Sequence, residues 1–241
     1  MFSVQIIDAG YRLREIYSSV GASVGTATHA AVASCMTEKM NSGNLGNQTE
    51  DEQRGLASLE ETVGYGVSWD QTTPNLSTGQ KQVVRMYRSY RFTLAEVVHP
   101  RAVERRLEFK TKAGNVLSGQ VDITDEGLRD LKTGVVRRAN GAQYGAYSLL
   151  ARISGETVSR IVEDYVQRVD VQRDQPPPLE VAYDVRLSER VAANTIAEVE
   201  SRYARFMANG DNMVFSANPN SVLCGERFCQ AHGTNWCEEW K

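Results

Sequence analysis

Val116–Gly134 runs VLSGQVDITDEGLRDLKTG. Val116–Ile123 has the alternation and β-branched content of a strand, Thr124–Gly127 reads as a turn, and Leu128–Lys132 is a second short strand ending at Thr133-Gly134. Successive strand side chains point to opposite faces, so Asp130 and Lys132 project together while Leu131 turns into the core. If the two strands are neighbours, Asp122 joins them. Two carboxylates and an ammonium on one patch suit a divalent cation with a positive group beside it. Mg²⁺ prefers oxygen ligands and retains waters and substrate phosphate oxygens. Such an ion acidifies water and neutralises phosphate charge. Alone, Asp-x-Lys on a strand is usually an exposed ion pair worth at most about 1 kcal/mol.

Outward from this stretch the pattern is mixed. Val103–Lys110 reads as a strand, turned by Lys112–Asn115 into the next. Upstream, residues 10–40, 51–66 and 80–97 read as helices, separated by loops at 41–50 and 70–79. The first holds the small-residue run Gly25-Thr26-Ala27-Thr28-His29-Ala30-Ala31-Val32-Ala33. Downstream, 139–153 is a helix stopped by Gly155, Val158–Val169 a strand, 175–178 a stiff proline connection, and 187–208 a long helix. The order suggests one mixed α/β domain over 1–241. It comprises a helical part over 1–98, a sheet and helix over 99–170, and a C-terminal helix and tail over 171–241.

Composition sets the bounds. The chain has 241 residues, 41% hydrophobic and 24% charged, with net charge -3 and four cysteines. This excludes disorder, a collagen repeat and a disulfide-dense miniprotein. No apolar run approaches the roughly 20 residues of a membrane span. The first 30 residues have no secretory pattern, so a cytoplasmic location is expected, where structural disulfides are rare.

The ordered series Gly119-x-x-Asp122, Asp130-x-Lys132-Thr133-Gly134 and Gln143-x-x-x-Tyr147 resembles the PD-(D/E)XK nucleases of the RecB type. That branch includes RecB and AddB nuclease domains, CRISPR-associated exonucleases and phage recombination nucleases. Gly25–Ala30 is similar to its first motif, a small-residue helix carrying a histidine. The resemblance covers residues 25–147. It implies a restriction-endonuclease-like core, a mixed central sheet flanked by helices, with a helical N-terminal part and a cysteine-bearing tail. It also implies roles. Asp122, Asp130, His29 and the Leu131 carbonyl would hold Mg²⁺ or Mn²⁺, the imidazole favouring Mn²⁺. Lys132 would be the catalytic lysine. Gln143 and Tyr147, four apart on one helix face, would meet the nucleic-acid strand.

Cys224, Cys229 and Cys237 crowd the tail SVLCGERFCQAHGTNWC. Their spacing does not match the usual Cys-x-x-Cys zinc knuckles. Several RecB-type nucleases carry a 4Fe-4S cluster held by one upstream and three C-terminal cysteines, and this tail resembles that triplet. Cys35 would complete the count. It follows His29 by six residues, roughly 120° around a helix at about 100° per residue, away from the active-site metal. Zinc with His232, or plain buried thiols, are the alternatives.

Arg85, Arg88, Arg91, Arg105, Arg106, Arg137 and Arg138 are candidate phosphate contacts, the last two lying between the Asp-x-Lys strand and the Gln-x-x-x-Tyr helix. The bland reading of the row Arg85, Arg88 and Arg91 is a solvated helix face, and the sharper one a phosphate-contacting ridge. Tyr87, Tyr90 and Trp69 are either packing residues or stacking platforms for unpaired bases. No base-reading module is evident. The expectation is a divalent-metal-dependent DNA exonuclease acting on single strands or duplex ends. It would serve recombination, repair or replication in a bacterial or phage-infected cell, beside a possible helicase or recombination partner. A structure-specific endonuclease and a non-catalytic DNA-binding or assembly subunit are the rivals.

Overall fold

The computed structural model describes residues 10, 12–210, 224–226, 228–235 and 237. They belong to two compact units, one over Ser18–Ala197 and one formed by Met1–Tyr17 with Glu198–Lys241.

The larger unit begins with a two-residue strand β1 (Ser18–Ser19) and helix α1 (Val20–Ser42). Ser19 caps the helix, its hydroxyl accepting from the Ala22 amide at 3.3 Å. Helices α2 (Gln48–Gly64) and α3 (Leu76–Arg91) follow, capped by Asn47 and Asn75, with the two-residue strand β2 (Val67–Ser68) between them. β2 pairs in parallel with β1. A short helix α4 (Leu94–Val97) leads to strands β3 (Ala102–Lys110), β4 (Val116–Thr124) and β5 (Leu128–Gly134). Helix α5 (Gly141–Ile153) crosses over to β6 (Ile161–Gln167), and β7 (Leu179–Tyr183) ends the sheet before α6 (Val185–Asn209).

The sheet order is β3-β4-β5-β6-β7, antiparallel throughout except for the parallel β5–β6 pair that the α5 crossover requires. The protein is thus a mixed α/β structure with a five-stranded mixed sheet flanked by helices. One face carries α1 and α3, packing Val20, Val24, Ala27, Met36, Met86 and Tyr90 against Ile123, Leu131 and Val166. The other carries α5, packing Tyr144, Leu150 and Ala151 on Leu107, Val121, Leu128 and Ile161. Among the described residues no helix is long and apolar enough to cross a membrane.

Several boundaries differ from the sequence expectation. The first helix starts only at Val20, because Ser19 caps it, and residues 12–17 are irregular; most of 1–11 lies outside the described residues. The loop at 41–50 contracts to 43–47. The helix expected over 80–97 begins at Leu76 and breaks at Phe92-Thr93. β7 was not expected: it is a five-residue edge strand behind three prolines, with weak alternation.

A buried ionic knot ties β5 to β6 and β7 on the α3 side. Arg129, 2% exposed, donates to Asp164 through Nε at 3.0 Å and Nη2 at 2.7 Å, and also pairs with Asp125 and Glu180. The Tyr90 hydroxyl donates to Asp164 at 3.3 Å.

In the smaller unit, the Arg14 amide donates to the Gln230 carbonyl at 3.1 Å, and its guanidinium meets Glu226 at 3.1 Å. Residues on either side of the larger unit in sequence are thereby joined.

Candidate metal centre

β4 and β5 pair only at Ile123↔Arg129 and Thr124↔Leu128, and then they part. Asp122 stands at the opening. Its Oδ2 accepts from the Leu131 amide at 2.7 Å, so the carboxylate replaces the missing ladder partner. A strand residue's N–H and C=O point to the same side, so the Leu131 carbonyl faces this gap too.

Helix α1 brings His29 to the same place, its Nδ1 lying 3.5 Å from Asp122 Oδ2. Small residues permit the approach: a Cβ on Gly25 would sit 2.6 Å from Thr133 Oγ1, so only glycine lets α1 rest on the end of β5. Burial opposes charging His29. Its hydrogen bond to Asp122 and the charges of Asp122 and Asp130 outweigh this, and its pKa is raised. Beside His29 and Lys132 a cavity of about 330 Å³ runs along Gly21, Ala22, Gly25 and Thr26 to Arg168.

Asp130 and Lys132 share the α5 face of β5. Asp130 is 3% exposed, and its Oδ2 faces the Lys132 ammonium as an ion pair without hydrogen-bond alignment. Burial and then the negative charge of Asp122 push its pKa up, against the pull of Lys132. The ammonium also lies 5.7 Å from the centre of the Tyr144 ring. Tyr144 is fixed in turn by fully buried Glu163, which accepts from the hydroxyls of Tyr144 at 2.6 Å and Tyr183 at 2.9 Å. Glu163 is the neighbour of Asp130 in the β5–β6 ladder.

Gln143 and Tyr147 stand together on α5, the Gln143 amide donating to the Tyr147 hydroxyl at 2.6 Å. The Tyr147 ring packs against β4 where Gly119 leaves room; a Cβ there would fall 2.6 Å from Tyr147 Cε1. We expect Gly119→Ala to lower stability by about 1–3 kcal/mol through overpacking. The penalty should largely vanish in a Tyr147→Ala background. Equal penalties in both backgrounds, measured by urea unfolding, would show that the ring is not the obstacle.

Glu104 is the residue the sequence did not single out. It lies across from Asp122 on β3, and the pairing skips both of them, running from Val103↔Ile123 to Arg105↔Val121. Its φ of 51° is left-handed, rare for a residue with a side chain. The Gln120 amide donates to its carboxylate. Burial and the charge of Asp122 raise its pKa. Nothing in Val-Glu-Arg-Arg marks it; only the strand register brings it beside Asp122.

Other expected contacts fall elsewhere. Arg85 donates to the backbone carbonyls of Val171 and Arg173, Arg88 pairs with Glu52 at 2.7 Å, and Arg91 meets Asp51 at 3.3 Å. That row is a set of internal ties, because each guanidinium finds a carbonyl or carboxylate within its own fold. Arg105 and Arg106 pair with Glu156 and Glu108. Tyr87 and Tyr90 are fully buried, which leaves them no base to stack on, whereas Trp69 is exposed. Arg137 and Arg138 do lie exposed between β5 and α5, Arg137 anchored on Glu163 at 3.1 Å.

Cys35 is 1% exposed, and Arg91 donates to its sulfur at 3.2 Å beside Asp51 and Tyr87. Burial and the Asp51 charge push the thiol pKa up. Cys224, Cys229 and Cys237 are free, partly buried thiols of the smaller unit.

No family model matches the chain, and no curated protein matches it. Among solved structures, a presumptive exonuclease from Eubacterium rectale is 12% identical with a TM-score of 0.43, over 93% of this chain and 88% of that one. Similarity at that level assigns neither fold family nor activity.

Proposed function

We propose that the chain is a divalent-metal-dependent DNA nuclease of the RecB-like PD-(D/E)XK type, acting on single strands or duplex ends. The observation that carries this reading is convergence. His29 from α1, Asp122 from β4, and Asp130 and Lys132 from β5 meet at one opening in the sheet, beside Gln143 and Tyr147 of α5.

The donor set fits a hard-to-borderline dication. It offers one imidazole, carboxylate oxygens and a backbone carbonyl, and the buried Asp130 Oδ2 has no aligned hydrogen-bond donor. His29, Asp122, Asp130 and the Leu131 carbonyl would hold it. A bound Mg²⁺ or Mn²⁺ supplies a Lewis acid for the phosphate and lowers the pKa of water. Asp130 holds the Lys132 ammonium toward the opening, where its charge opposes the negative charge that grows on the attacked phosphate. The Leu131 amide fixes Asp122 so that its carboxylate does not reorganise when substrate arrives. Gln143 and Tyr147 orient the strand, and Arg137 and Arg138 attract its phosphates without reading bases. A chain of net charge -3 must gather DNA by such local basic groups rather than by its overall field.

End-labelled single- and double-stranded DNA, with Mg²⁺ or Mn²⁺ and with EDTA, tests the reading. Cleavage that needs the cation and a free end is expected, and circular single strands should survive. No cleavage of any substrate under these conditions would overturn it. The setting we infer is recombination or repair in the cytoplasm, beside a helicase or annealing partner.

We read Cys224, Cys229 and Cys237 as ligands of a 4Fe-4S cluster, with zinc as the rival. Their free, partly buried thiols support this. Protein purified without oxygen should be brown, with broad absorbance at roughly 400 nm from sulfur-to-iron charge transfer. Colourless protein with stoichiometric zinc would settle for the rival.

A further inference from the structure

We propose that Glu104 is a further ligand of this metal centre, joining His29 and Asp122. It rests on the site being a metal centre, not on what that centre cleaves.

Among the described residues, His29, Glu104 and Asp122 are the one group of three His, Cys, Asp or Glu side chains whose ligand atoms all lie within 4.8 Å of one another. An octahedral ion with bonds of about 2.1 Å holds its ligands about 3–4 Å apart. The trio is therefore close to a ligand set already. Asp130 is outside the trio, held by the Lys132 ammonium on the α5 face. The ligands come from three separate elements, α1, β3 and β4, so the fold itself builds the position.

The backbone turns Glu104 to this place. Val103 packs with the α1 and α3 side, whereas Leu107, four residues on, packs with α5; strand alternation alone would put them on one face. β4 makes the same change between Ile123 and Val121. Both strands switch faces at the unpaired Glu104 and Asp122, where Glu104 takes its left-handed φ. Gln120 then holds the Glu104 carboxylate by its amide. With His29 a neutral ligand, three carboxylates, Glu104, Asp122 and Asp130, face the Lys132 ammonium. A dication restores the balance. One imidazole among oxygen donors favours Mn²⁺ over Mg²⁺.

The test is Mn²⁺ binding to the full chain stripped of divalent ions, followed by the loss of the free-ion EPR signal. Glu104→Gln keeps the size and removes the charge. Glu104→Gly suits the left-handed backbone and guards against misfolding of the first variant. Loss of even an outer-shell partner weakens metal binding about 10–100-fold, so both variants should bind at least about tenfold more weakly. In thermal unfolding, Glu104→Gly should melt no lower than wild type without metal but gain less from added Mn²⁺. Mn²⁺ affinity equal to wild type in both variants would overturn the inference and leave the nuclease reading standing. Tight, Glu104-dependent Mn²⁺ binding by a chain that cuts no DNA would do the reverse.

Discussion

Lys132→Ala is expected to lower metal-dependent DNA cleavage by about 10³-fold while leaving Mn²⁺ binding intact or tighter. The ammonium pairs with the Asp130 carboxylate and lies 5.7 Å from the centre of the Tyr144 ring. Its removal takes away the charge that faces the phosphate in the transition state. It also takes away a cation that repels a metal, so binding and turnover should separate. Asp130→Ala should lose cleavage to a similar extent and weaken metal binding as well. Lys132→Arg should recover little, since a planar guanidinium does not reproduce a compact ammonium. Single-turnover cleavage of end-labelled DNA and Mn²⁺ titration of the same preparations measure both quantities. Wild-type cleavage by both alanine variants would remove the catalytic assignment.

The second large effect is on stability. Arg129→Met should destabilise the fold by about 3–5 kcal/mol, because it leaves the buried Asp164 carboxylate without its cation. Asp164 is 1% exposed and takes two guanidinium hydrogen bonds; Asp125 and Glu180 share the same group. Burial already raises the Asp164 pKa even with Arg129 present. Without the arginine the carboxyl has more reason to keep its proton, so the penalty should shrink as pH falls. A paired Arg129→Met, Asp164→Leu variant should recover much of the loss, since a well-packed apolar pair often matches a buried ion pair. Urea unfolding at two pH values measures this. A loss below about 1 kcal/mol would mean that water already reaches the knot.

The sheet and its acidic edge were legible because period-two alternation and turn chemistry are local signals. Val116–Gly134 carries both, and the two strands fall where the residues put them. The reason for Gly119 was not legible: it is the footprint of Tyr147, 28 positions away, and no local pattern records that contact. The partners of Arg85 and Arg88 were not legible for the same reason. Their spacing describes a helix side, but only tertiary packing reveals Glu52 and the carbonyls of Val171 and Arg173 in front of them. Glu104 was invisible because its significance depends on register and on one unusual backbone angle, and β7 because an edge strand needs little alternation.

The change of face at Glu104 and Asp122 also bears on how the chain finds its alignment. In an ordinary hairpin a slip by two residues keeps every side chain on its own face and is opposed only by lost pairings. Here β3 and β4 each feed two different cores, Val103 and Ile123 one, Leu107 and Val121 the other. Any slip carries apolar residues of one strand past the other's crossing point and spoils both cores together. The same kink that presents two acids at the sheet's opening therefore acts as an alignment pin, and the hairpin can close in only one frame.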